Sequence, residues 1–141
     1  MSRRFNTCIM TTIGLLTLAT ALPGGKLFAQ QQPEPVLVAQ VTSVDCTLEK
    51  RIPPNALVKA KGMVTTGGYT HPRLIKLVYV TPPIDGIQDL DFMVDPPRKG
   101  GVVTQVLTEL ETPPLRIEHI PDWMKGVRVR GAMNKFEKPC S

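Results

Sequence analysis

Apolar and polar side chains alternate with a period of two over several stretches of the chain. Val44, Cys46 and Leu48 alternate with Asp45, Thr47 and Glu49. Val58, Ala60, Gly62 and Val64 alternate with Lys59, Lys61 and Met63, and Val127 and Val129 with Arg128 and Arg130. Such a period, with one charged face, predicts half-buried antiparallel strands. Leu74–Val80 (LIKLVYV) is apolar almost throughout and predicts a central strand. The stretches 89–94, 102–110 and 115–120 complete a set of about seven strands. Val58, Leu77, Val78, Val106, Val127 and Val129 are the expected core. Proline doublets fall at Pro53-Pro54, Pro82-Pro83, Pro96-Pro97 and Pro113-Pro114. Proline has no N–H for a helix interior or a central ladder, so the doublets should separate elements. Short strands without a helical period predict an all-β, antiparallel β-sandwich of immunoglobulin-like kind. A small β-barrel is the alternative.

The N-terminal stretch follows a different pattern. Arg3 and Arg4 precede an apolar run, Cys8–Leu22, which Pro23-Gly24-Gly25 ends before Leu27-Phe28-Ala29. Charged start, short apolar run and small residue at the cut predict a secretory signal peptide over 1–29. The run is shorter than the ~20 residues of a membrane-spanning helix. An uncleaved anchor is the other possibility. Residues 30–35 (QQQPEP) read as a disordered lead-in, and 36–141 as one β-sandwich domain. The expected location is the periplasm or the extracellular space, with no transmembrane segment after cleavage.

Charge and cysteine content change meaning once that segment is set apart. The 141 residues hold 17 Lys+Arg against 12 Asp+Glu, a formal charge of +5. Arg3, Arg4 and Lys26 account for three of those five excess charges. Tyr69, Tyr79, Phe92, Trp123 and Phe136 are the only later aromatics, too few for base stacking, so nucleic acid is not an expected partner. The basic signal shrinks to Lys59, Lys61, Arg128 and Arg130, expected on one sheet face as a patch for anionic polymers. Of three cysteines, Cys8 lies in the signal. Cys46 and Cys140 remain, and an even count in an exported chain predicts a disulfide between them. No C-x-x-C spacing supports a redox or zinc site.

Catalytic chemistry is sparse. After residue 29 the only serines are Ser43 and Ser141 and the only histidines His71 and His119. There is no G-x-S-x-G elbow and no phosphate loop, and no cofactor is expected. Asp85, Asp89, Asp91 and Asp95 leave room for a calcium-binding module or an enzyme built on the 85–95 segment. Two segments suit recognition better. Thr65–Pro72 (TTGGYTHP) presents Tyr69 and His71, and His119–Gly126 (HIPDWMKG) presents Trp123, each on a turn beside a strand.

The order TTGGY (Thr65–Tyr69), KGG (Lys99–Gly101) and a loop bearing Trp123 resembles the three-loop wedge of the chagasin-type cysteine-protease inhibitors. Members of that family are secreted β-sandwiches whose loops block a protease cleft. The resemblance covers about a dozen residues. Gly68 is an extra residue in the first loop, the second is short of glycines, and the Arg-Pro-Trp of the third is absent. It implies a loop-mediated protease inhibitor. The reading from the residues themselves is a non-enzymatic binding or envelope-associated module. Tyr69, His71 and Trp123 are its expected contacts, and a protein or an envelope polymer its partner. The module is expected to be a monomer or a weak homo-oligomer.

Overall fold

A computed structural model describes residues 33–141, so the predicted signal peptide lies outside the described residues. Nine strands follow in order: β1 (Val36–Leu37), β2 (Gln40–Glu49), β3 (Asn55–Val64), β4 (Thr70–Lys76), β5 (Ile87–Asp95), β6 (Thr108–Glu111), β7 (Leu115–Ile117), β8 (Gly126–Arg130) and β9 (Lys135–Pro139). None of the described residues forms a helix, so none crosses a membrane as one.

The strands form two open sheets and no closed barrel. In the first, β5 is central. It carries β4 on one side; on the other it carries β8 along Ile87–Asp91 and β1 at Met93–Val94. β9 lies outside β8. In the second, β3 is central, between β2 and the short strands β6 and β7. Only β5 and β8 run parallel. The arrangement is a β-sandwich. Its core comprises the inward residues of both sheets, with Val41, Val44, Val58 and Val64 facing Leu90, Phe92, Val94, Val127 and Val129.

The period-two reading holds where strands are central. Val58, Val127 and Val129 are fully buried. It fails for LIKLVYV. β4 stops at Lys76, its Leu74 faces the core, and Ile75 is exposed. Leu77 is half-buried, whereas Val78 and Val106 stand in solvent and are not core. The reason is that β4 is an edge strand, bulged between Thr70 and Arg73 around Pro72. Beyond Leu77, whose N–H still reaches the Asp89 carbonyl at 3.1 Å, the chain leaves the ladder. Most of the predicted strand 102–110 is likewise a connection, and pairing begins at Thr108. β9 (KFEKP) has no strong strand pattern; it exists because β8 offers it a partner.

All four proline doublets fall between strands. Pro113-Pro114 separates β6 from β7, and Thr112 closes the gap. Its N–H donates to the Ala60 carbonyl at 2.9 Å, and its hydroxyl accepts the Ala60 N–H at 3.0 Å. The free side of β2 is covered in a similar way. The Asn134 amide takes both the N–H and the carbonyl of Val41, at 2.7 and 2.8 Å. Ser141 pairs with Leu48 and Cys46. Covered edges offer little template for strand addition. Cys46 in β2 and Cys140, just past β9, form a disulfide that ties the two sheets, with α-carbons 4.8 Å apart.

Candidate functional site

The structure separates the expected contact residues. Thr70 pairs with Asp95 at one end of β5, while Ile87 at the other end pairs with Gly126. Tyr69 and His71 therefore lie about 25 Å along β5 from the Trp123 turn, at 3.3 Å per residue. Tyr69 packs against the core. His71 is exposed, in a left-handed conformation at the β4 bulge (φ 51°), with Nδ1 3.2 Å from Asp95 Oδ2. Arg73 holds the other Asp95 oxygen at 3.0 Å. The 65–69 turn adjoins the 96–104 connection, as the Gly67 N–H donates to the Thr104 carbonyl at 2.9 Å. Two of the three inhibitor-like loops thus sit side by side, and the Trp123 loop is at the opposite end.

Trp123 stands at a groove of about 310 Å³, formed by residues 76–80 and Pro82 with Gln88, Pro121 and Trp123. The turn that presents it is bonded to the connections that lead into β3 and β5. Met124 N–H donates to the Pro121 carbonyl at 3.0 Å, Ile120 N–H to Pro54 at 3.1 Å, and Lys125 N–H to Gly86 at 2.8 Å. Gly86 has a positive φ of 71°, and a Cβ there would sit 2.7 Å from the Trp123 carbonyl oxygen. Only glycine allows that approach. Trp123 is half-buried and outside the core cluster, whereas its neighbours Ile120 and Met124 pack against that cluster.

The opposite wall is built by Tyr79, whose ring meets that of Trp123 edge-on at 6.2 Å and 78°. Its hydroxyl donates to Asp89 Oδ2 at 2.5 Å and accepts the Asp89 N–H at 3.0 Å. The buried Gln88 amide donates to the carbonyls of Leu77 and Asp89 at 2.8 and 3.0 Å. The Tyr79 hydroxyl thus serves the β5 N–H of Asp89. The Gln88 amide ties the Leu77 carbonyl, just past the end of β4, to the Asp89 carbonyl, which also accepts the Leu77 N–H at 3.1 Å. Partial burial, then the bond to the Asp89 carboxylate, raises the Tyr79 pKa above 10.0. The neutral phenol is thus favoured in the folded state. Its contribution to stability is fully present below pH 10 and is lost as pH rises through the folded-state pKa. Tyr79→Phe is expected to cost about 1–3 kcal/mol. It should also remove the raised phenolate step from an absorbance titration. A wild-type titration with no phenolate step above the ordinary value that Tyr79→Phe removes would contradict this.

Sequence reasoning missed Tyr79, which lies in the apolar run read as a strand. Its only signal was position, as the last aromatic before Thr81-Pro82-Pro83.

The four aspartates are each engaged by an arginine. Arg128 of β8 donates to Asp85 at 2.9 Å, Asp89 at 3.2 Å and Glu137 at 3.1 Å. Arg130 holds Asp91 at 2.6 Å, and Arg73 holds Asp95. The bond from Asp85, with smaller ones from Glu137 and Asp89, holds the Arg128 pKa above its ordinary value. The Ile87 N–H, then Arg128, lowers that of Asp85. Among the described residues no three metal-ligating side chains cluster. The expected basic patch is also divided. Arg128 and Arg130 belong to one sheet and Lys59 and Lys61, on β3, to the other. Alternation says that a side chain points outward, not from which sheet.

Comparison with family models, with curated proteins and with solved structures finds no match for this chain.

Proposed function

We propose that this chain is an exported, non-enzymatic β-sandwich module that binds an envelope component through its Trp123 end. One observation carries the reading. The only tryptophan is left outside the core, on a turn bonded to the connections that lead into β3 and β5, beside an open groove. A large aromatic held on a rigid frame is an economical contact residue, because little side-chain entropy remains to be lost on binding. The Cys46–Cys140 disulfide is consistent with an oxidising compartment, and the charged-then-apolar N-terminal sequence supports export. Aliphatic, aromatic and proline side chains dominate the groove lining, which suits recognition. Tyr69 and His71 lie outside this surface, and any contact they make is a separate one.

The test is affinity recovery from envelope extracts with tagged protein purified from an exporting host. Wild type is expected to enrich an envelope component that Trp123→Ala loses, at an unchanged melting temperature. Equal recovery by both proteins would remove Trp123 from the binding surface.

A further inference from the structure

We propose that the envelope component is lipid: the Trp123 end docks on an anionic bilayer and inserts its apolar loop tips among the headgroups. The inference rests on reading that end as a binding surface.

Three connections meet there: 50–54, 77–86 and 118–125. The last bridges the other two through the Ile120–Pro54 and Lys125–Gly86 backbone bonds. Their tips carry Ile52, Val80 and Ile84, with relative exposures of 102%, 106% and 106%, and Val78 at 88%. Single exposed aliphatic residues are ordinary on a protein surface. Four on adjoining connections, beside the only tryptophan, form a concentration that needs an apolar neighbour. Prolines flank two of the tips, at Ile52-Pro53-Pro54 and Pro82-Pro83-Ile84, so these side chains stand out on stiffened turns.

Shape and charge favour lipid over a protein partner. Side chains this exposed project from the surface, and a protein would need a matched pocket for each. The headgroup and upper acyl region is fluid and receives projections of any spacing. Tyr79 and Trp123 lie behind the tips, half-buried, where interfacial aromatics are favoured. The same connections and their borders carry Lys50, Arg51, Lys76 and Lys125, none of which makes an ion pair among the described residues. Asp85 is already held by Arg128, so Glu118 and Asp122 are the acids left to oppose them. Excess unpaired cations around apolar tips complement an anionic leaflet. The opposite end also exposes Val102 and Leu107, but its Tyr69 packs against the core, so it serves as the internal control.

The experiment uses protein from the exporting host with vesicles of phosphatidylcholine, with and without phosphatidylglycerol. Sedimentation and tryptophan emission are the readouts, and Trp123 is the only fluorophore of its kind. Wild type is expected to partition onto phosphatidylglycerol vesicles with a blue-shifted emission. The variant I52S/V80S/I84S, altered only at fully exposed side chains, should bind at least about tenfold more weakly. V102S/L107S should bind as wild type does. Absence of partition, partition unchanged in I52S/V80S/I84S, or binding with no blue shift and full loss at high salt would each overturn insertion. If vesicles fail while a protein component is still recovered through Trp123, the lipid assignment falls and the binding reading stands. If Trp123-dependent recovery fails as well, both fall.

Discussion

Replacing both cysteines, Cys46→Ala with Cys140→Ser, is expected to lower stability by about 4–5 kcal/mol. The bond closes a loop with a sequence separation of 94. In the chain-entropy account, opening a loop of that length restores much freedom to the unfolded chain. The native state loses order too. Ser141 donates its N–H to the Cys46 carbonyl and accepts the Leu48 N–H at 3.1 Å, and that pairing depends on the chain end being held at β2. A change of this size corresponds to a fall in Tm of roughly 20 °C or more for a chain of about 100 residues. Urea unfolding of the oxidised protein, the reduced protein and the double variant checks it. The last two should nearly coincide, far below the first. A loss under about 1 kcal/mol would show that the chain end is held without the bond.

Phe92→Ala is expected to cost about 3–5 kcal/mol. Phe92 is the largest fully buried side chain among the described residues, in the middle of the central strand β5. Its ring crosses to the other sheet at Gly62, where a Cβ would lie only 3.0 Å from Phe92 Cε1 and 2.8 Å from the Gln40 carbonyl oxygen. The absence of a side chain at position 62 is what lets the ring lie against β3. Truncation leaves a void between two sheets that are held in place by backbone ladders, so little collapse can fill it. Phe92→Leu keeps most of the volume and should cost about half as much or less. Equilibrium unfolding of the two variants gives both numbers. A Phe92→Ala loss below about 1 kcal/mol would mean that the sheets close over the void.

What was legible in the sequence is local. Val58, Val127 and Val129 announced their burial because each sits in a strand paired on both sides, where alternation maps directly onto inside and outside. The same reasoning failed for Val78 and Val106, which lie in connections. Apolar character there says nothing about whether a ladder continues. The acids of 85–95 invited a metal because the sequence shows their spacing and hides their partners. Arg128 and Arg130 are about 40 positions away, yet register places them directly across from Asp89 and Asp91.

The site shows the same division. Trp123 was a candidate from its loop, and its placement outside the core followed from the tertiary structure. Tyr79 became a wall of the groove because β4 ends at Lys76, where its hydroxyl serves the Asp89 N–H of β5 and the Gln88 amide holds the Leu77 carbonyl. Tyr69 and His71 were grouped with Trp123 on chemistry alone, and the length of β5 sets them apart.

By itself, then, the sequence determined the all-β class, the breaks at proline doublets and the pairing of Cys46 with Cys140. These depend on a two-residue repeat, a missing N–H and the parity of a count. Only the tertiary structure decided which strands share a sheet, which end each loop occupies and which carboxylate meets which arginine. Those outcomes depend on strand order and register, set by packing across the whole molecule and not by any single stretch of it.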